Sequence, residues 1–214
     1  MQRMMKAAIF DMDGTLVDSM SEWRKLNSLF IRNSGIVPTP EQEEDMYALS
    51  GLLVVDYYRE HFGIEVTFDQ LAELSAQEMG RIYGKGLPLK PGAGEYLKRL
   101  HARGVKCVLA TATPAKQALV ALNSKGLVRQ LDYIFCTEML GGHKGEPELY
   151  YKLCEIIDEK PEDCVMVEDG LYAMRGARAA GLGVIGITDS TNARYREEIA
   201  QVCDRVIDSY DELP

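Results

Sequence analysis

One apolar run near the start of the chain, Ala7-Ala8-Ile9-Phe10, has nothing to pair with until well beyond Gly86. It reads as a buried strand closed by a turn signal, Asp11-Met12-Asp13-Gly14-Thr15. Between Val17 and Gly86 the apolar residues recur at helical spacing and no segment reads as a sheet strand. The first strand must therefore find its neighbours among later strands, through crossover connections. That constrains the chain to an α/β fold: a Rossmann-like parallel-sheet core with an inserted all-helical cap domain.

The helical stretch opens with Met20, Trp23, Leu26, Phe30 and Ile31 on one face. Asp18 or Ser19 is expected as its N-cap and Gly35 as its stop. A further helix is expected from Glu41, and two more over about 52–62 and 68–83. After the Gly/Pro-rich return at 84–92, helices are predicted at about 93–103, 114–125, 147–157, 171–180 and 194–202. Strands are predicted between them at 105–110, 133–136, 164–167, 184–187 and 205–207. The domain expectation is a core of residues 1–16 and 90–214 with a cap of residues 17–89.

A formal net charge of −9 argues against a nucleic-acid or anionic-membrane partner, since both require a basic face. No apolar run approaches the ~20 residues that span a bilayer. The segment Met1-Gln2-Arg3-Met4-Met5-Lys6 lacks the apolar region of a signal peptide. The five cysteines form no CxxC pair and sit mostly in apolar runs, so they are expected to be reduced core residues of a cytoplasmic protein.

Asp11 and Asp13 lie where a strand of an open sheet would end, the place where such sheets bind ligands. Fully extended backbone would send them to opposite faces, so convergence requires the chain to coil after Asp11, which Gly14 permits. One carboxylate can then attack while the other moves a proton, with a divalent cation offsetting their repulsion. A hairpin is the plain alternative for Asp-Gly after a strand. A calcium loop also begins Asp-x-Asp, with Glu22 at its twelfth position, but it needs glycine where Leu16 stands.

Later strand ends add to this pair. Thr111 offers a hydroxyl and a backbone N–H to an anion, while Thr113 is expected to cap a helix starting at Pro114, whose N-terminus would be an anion site. Lys144, in the loop Gly141-Gly142-His143-Lys144-Gly145, is the cation placed to meet a phosphate; its neighbour His143 is read as incidental. Glu168-Asp169 follows the fourth strand and, with the first pair, makes an oxygen-rich site suited to Mg²⁺.

Asp11-x-Asp13-Gly14-Thr15, Thr111, Lys144 with Pro147 behind it, and Glu168-Asp169 resemble, in order, the four motifs of the haloacid dehalogenase-like superfamily. The helical insert resembles the cap of its β-phosphoglucomutase-like and phosphoglycolate phosphatase-like members. The resemblance implies that Asp11 is a nucleophile forming an aspartyl-phosphate and that Asp13 is the acid and base. It implies phosphate binding by Asp11, Gly14, Thr111, Ala112 and Lys144. It also implies Mg²⁺ held by Asp11, the Asp13 carbonyl and Asp169, with Glu168 in support. Three positions depart from the pattern: Gly145 and Glu148 replace the Pro and Asp of the usual Lys-Pro-x-Pro-Asp, and Gly170 stands where Ser or Ala is usual.

Asp13 favours phosphate-ester chemistry, since the dehalogenases and phosphonatases of this superfamily generally lack it. The expected activity is a phosphatase on a small phosphorylated metabolite, acting as a monomer. The alternatives are a sugar phosphomutase and a non-catalytic phosphate-binding module. The histidine, arginine and lysine that such mutases place on the cap have no counterparts at Trp23, at Ser50-Gly51-Leu52-Leu53-Val54 or at Gln77-Glu78-Met79-Gly80, although Arg81 is close. Trp23 is either a cap-core residue or a wall of the leaving-group pocket. Trp23→Ala is expected to change substrate preference more than metal dependence, checked by kcat/KM ratios across a panel of phosphate esters.

Overall fold

The computed structural model describes residues 5–49, 52–188 and 192–214. Met1–Met4 and the pair Ser50-Gly51, on which two of the sequence expectations rest, lie outside them. The chain divides into two compact units, one of Met1–Asp18 and Gly86–Pro214 and the other of Ser19–Lys85.

The first unit begins with strand β1 (Ala7–Phe10), followed after the break at Ser19 by helices α1 (Met20–Asn33), α2 (Pro40–Ala48), α3 (Leu52–Phe62) and α4 (Phe68–Gly84) of the second unit. The first unit resumes with α5 (Ala93–Ala102), β2 (Lys106–Thr111), α6 (Ala115–Ser124), β3 (Tyr133–Cys136) and α7 (Thr137–Leu140). It ends with α8 (Pro147–Ile156), β4 (Cys164–Glu168), α9 (Leu171–Ala179), β5 (Gly183–Ile187), α10 (Arg196–Val202) and β6 (Arg205–Ile207).

The six strands form one parallel sheet in the order β3-β2-β1-β4-β5-β6. The order reverses beside β1, between it and β4, and that is the switch point at which open sheets of this kind bind ligands. All four residues of β1 are fully buried, as a central strand covered on both faces requires. Its Phe10 is in register with Leu109 of β2 and Val167 of β4, so the three strands end within two residues of one level. The core on one side gathers Ile9, Val108, Leu153, Met166, Met174 and Val184. Four of the five cysteines are buried and all five are free thiols.

The boundary between the units falls slightly inside the range expected from the sequence. Asp18 N–H donates to Pro88 O at 2.9 Å and Lys90 N–H to Leu16 O at 3.0 Å, and Val17 bridges Leu89 antiparallel. These backbone bonds tie residues 17–18 and 86–89 to the sheet unit, although composition placed them with the insertion.

The helical unit has its own core of Ile31, Met46, Val54, Tyr58, Val66 and Leu71, with Phe30 stacked on Tyr58. Thr39 with Gln42 and Thr67 with Gln70 make full capping boxes at the starts of α2 and α4. The expected cap of α1 differs: Ser19 occupies the N-cap position but its side chain makes no capping bond. Among the described residues, no helix is long and apolar enough to cross a membrane.

Behind the end of β1, the Tyr210 ring lies against Phe10 and Tyr96 at centroid distances of 6.3 and 5.4 Å. Its hydroxyl donates to Thr15 O at 3.2 Å, so the C-terminal turn braces the loop that follows the first strand. Tyr210→Phe keeps the packing and deletes that buried bond. It is expected to cost about 1 kcal/mol, and Tyr210→Ala about 3–5 kcal/mol, in urea unfolding with an unchanged slope.

Candidate active site

The loop after β1 is one tight coil. Met12 O accepts from Leu16 N–H at 3.0 Å and Val17 N–H at 2.8 Å, while Gly14 turns through a left-handed φ of +77° and donates to Val17 O at 2.9 Å. A side chain at Gly14 would be strained in that conformation. The coil takes the chain out of extended backbone right after Asp11, as convergence of the two aspartates requires. Asp11 is buried and keeps its place beside β4 through its own N–H to Val167 O at 3.1 Å.

Lys144 reaches this point from the loop before α8. Its Nζ lies 2.6 Å from Asp11 Oδ1 and 2.6 Å from Glu168 Oε2, and its side chain is 3% exposed. Burial by itself would lower the lysine's pKa, but the Asp11 and Glu168 carboxylates outweigh burial and hold it well above the ordinary value. The other oxygen of Glu168, Oε1, accepts from Gly170 N–H at 3.0 Å. Asp169 follows at the mouth of the next helix, partly buried.

The carboxylate oxygens of Asp11, Glu168 and Asp169 lie within 4.8 Å of one another. Burial raises Asp11 to about 7 even with the ammonium beside it, and burial, Glu168 and Asp11 together raise Asp169 well above the usual carboxylate range. With all three carboxylates ionised, one ammonium would leave two negative charges without a counter-charge, which is why burial and mutual repulsion raise Asp11 and Asp169. A hard divalent cation with oxygen ligands fits that donor set and charge. A second group of donors, His101, Cys107 and Asp132, includes a thiol and lies at the opposite, N-terminal end of β2.

Of the expected site residues, Asp11, Lys144, Glu168 and Asp169 thus come together. Asp13 is not a member of the acidic group by its side chain. Its Oδ2 instead accepts from Thr113 Oγ1 at 2.6 Å. This corrects the expectation for Thr113, whose hydroxyl does not cap the next helix. That helix starts at Ala115, its first N–H donates to Glu138 Oε1 at 3.3 Å, and Pro114 stands at the N-cap with no side-chain cap. Glu138 thus engages one of the N–H groups at this helix N-terminus. Thr111, at the buried end of β2, accepts Thr113 N–H on its hydroxyl at 3.0 Å, so the two threonines form one small turn facing Asp13. Ala112, at the exposed tip of that turn, adds only its backbone. His143 accepts Gly145 N–H on Nδ1 at 3.1 Å and lies against the Tyr172 ring, outside the acidic group. Trp23 is on α1 of the helical unit, partly buried.

A buried acid paired with a lysine, a second acid held by a threonine and a carboxylate cluster thus meet at the switch point of a parallel sheet. The family model of haloacid dehalogenase-like hydrolases matches residues 5–181, and the chain belongs to that family. It is 25% identical to a phosphorylated carbohydrates phosphatase of Thermotoga maritima over 189 residues, 88% of each chain. It is 26% identical to hexitol phosphatase A of Escherichia coli over 201 residues, 91% of this chain and 88% of the relative. The crystal structure of CbbY from Rhodobacter sphaeroides in complex with phosphate shares the fold at a TM-score of 0.81 and 23% identity, covering 98% of this chain and 96% of that one.

An ion held by the acidic group would stabilise the folded state by mass action. At a hundredfold excess of Mg²⁺ over its Kd the gain is about 2.7 kcal/mol, or roughly 5–10 °C in Tm for a chain of this size. Asp169→Asn is expected to remove most of that increment, read by thermal unfolding with and without chelator. An equal increment in the variant would place the ion elsewhere.

Proposed function

We propose that this chain is a Mg²⁺-dependent phosphatase that hydrolyses a small phosphorylated metabolite through an aspartyl-phosphate on Asp11. The observation that carries the reading is the pairing of two differently treated aspartates one residue apart: Asp11 buried against Lys144, and Asp13 half-buried with its Oδ2 held by the Thr113 hydroxyl.

In this reading an Asp11 carboxylate oxygen attacks phosphorus, and the bond from phosphorus to the leaving oxygen breaks. Asp13 delivers a proton to that oxygen as it leaves. Water then attacks the aspartyl-phosphate, Asp13 takes its proton, and the Asp11 carboxylate and inorganic phosphate are released. Lys144 and the backbone of Gly14, Thr111 and Ala112 hold the phosphoryl oxygens. Thr113 keeps Asp13 in one rotamer through both half-reactions. Asp11, the Asp13 carbonyl and Asp169 would hold Mg²⁺, with Glu168 in support, and the ion would supply positive charge for the developing charge on phosphorus.

The helical unit is proposed as the cap that selects the leaving group, with Trp23 among its residues. The named activities of the relatives, on phosphorylated carbohydrates and on hexitol phosphates, make sugar and sugar-alcohol phosphates the first substrates to screen. The acidic net charge and the free, mostly buried thiols favour a cytoplasmic protein acting without nucleic acid or membrane, and a monomer accords with hinged opening of a cap.

The test is phosphate release from 4-nitrophenyl phosphate and from a sugar phosphate panel. Release is expected to require Mg²⁺, to stop in excess chelator, and to fall by at least about 10³-fold in Asp11→Asn. Full activity in that variant would overturn the mechanism. Conversion of a sugar 1-phosphate to its 6-phosphate with little free phosphate would identify a mutase instead.

A further inference from the structure

Lys144 is rooted in a glycine-rich loop whose internal bonds run from Gly145 N–H to His143 Nδ1 at 3.1 Å and from Glu146 N–H to His143 O at 2.9 Å. Gly141 and Gly142 precede it with φ of +61° and +129°, and Gly145 follows it. Glycine has the widest backbone freedom of any residue, so contacts from outside the loop add to what fixes the position of the ammonium. The side-chain stem is buried, and a shift of its root is passed on to its tip.

Two contacts bear on that root, and neither touches the ammonium. The Tyr150 hydroxyl, on α8, lies 3.0 Å from Lys144 O and 3.0 Å from Ala173 O of α9, with the tyrosine fully buried. One hydroxyl hydrogen shared between two carbonyls thus links the lysine peptide to the helix that follows Glu168-Asp169. On the same helix, Gly176 presents bare backbone to the loop. A Cβ there would fall 2.3 Å from Lys144 O, 2.8 Å from Gly145 C and 3.0 Å from Gly145 O. The obstacle is backbone on every side, so the loop would have to move away.

We propose that Tyr150 and Gly176 are positioning residues that seat the Lys144 peptide on α9, so that one ammonium meets Asp11 and Glu168 together. Tyr150 holds the peptide in place from the side, and Gly176 sets how close it lies. The inference rests on the reading of Lys144 as the residue that grips the transferring phosphoryl group. Since displacement of the ammonium affects the charge-bearing transition state more than the neutral parts of a substrate, the loss should fall on kcat more than on KM.

The experiment is a double-mutant cycle on the full chain with saturating Mg²⁺ and 4-nitrophenyl phosphate. Tyr150→Phe, which keeps the ring volume, and Gly176→Ala are each made alone and with Lys144→Met. Kinetics, orthovanadate affinity and Tm are measured for all. Alone, Tyr150→Phe is expected to lower kcat about 10-fold and Gly176→Ala roughly 10²-fold, with KM changed by less than about threefold. Combined with Lys144→Met, neither should lower kcat or vanadate affinity further, because the group they position is gone. Equal losses in both backgrounds would mark a general structural effect and overturn the inference while leaving Lys144 in its role. No loss of kcat in a folded Tyr150→Phe would also overturn it. Full activity in Lys144→Met alone would instead overturn the reading of Lys144 itself.

Discussion

A lysine ammonium taken out of water and set between two carboxylates is the interaction on which the rest of the sheet unit depends. An ion of this kind, unpaired, would cost several kcal/mol. Lys144 is tolerated because Asp11 comes from the end of β1 and Glu168 from the end of β4, neighbours in the sheet. Only the parallel pairing that lines up Phe10 with Val167 brings those two ends to one level. The same arrangement leaves an excess of negative charge, which turns a structural ion pair into an incomplete one that a divalent cation completes. Fold, charge and metal requirement are thus one constraint.

The two aspartates are separated by environment, not by type. Asp11 lies in a dry position where burial raises its pKa and the lysine counteracts it. Asp13 is two residues on, past the start of the coil, and takes a hydroxyl from β2's following turn. In the proposed reading Asp13 both gives and receives a proton, and a neutral donor holds one of its oxygens. The threonine turn supplies that from a strand neighbouring β1 on the opposite side from β4.

Much of this was legible in the sequence because parallel strands buried on both faces are written as unbroken apolar runs. Ala7–Phe10 and the Cys107–Ala110 stretch needed no partner information to be recognised. The placement of Asp11, Glu168 and Asp169 followed from their positions at strand ends, and that of Lys144 from the glycine-rich loop after the third strand. Thr113 was misjudged for an instructive reason: a threonine before proline is a local capping signal, while its actual partner lies 100 residues away. Tyr150 and Gly176 gave no signal either, since a tyrosine on an apolar helix face and a glycine in a helix acquire meaning only when another segment touches them. The helix Thr137–Leu140 is too short for periodicity to register, so Glu138 at its start, which accepts from Ala115 N–H, gave no signal.

The position of β1 in the sheet has a consequence for how the chain is made. This strand leaves the ribosome ahead of the other five, yet it belongs at the centre, between β2 and β4. Its partners begin at Lys106 and Cys164, so both of its hydrogen-bonding edges stay open while the helical unit and much of the remaining chain are synthesised. An apolar strand waiting with two open edges is prone to pair with the wrong chain. The helical unit, with its local contacts and separate core, can fold during that interval. Asp11, at the end of this strand, is therefore made before the groups that surround it, Lys144 and Glu168. A chain made only through the helical unit still lacks Lys144, which pairs with Asp11, and Glu168, which pairs with that lysine.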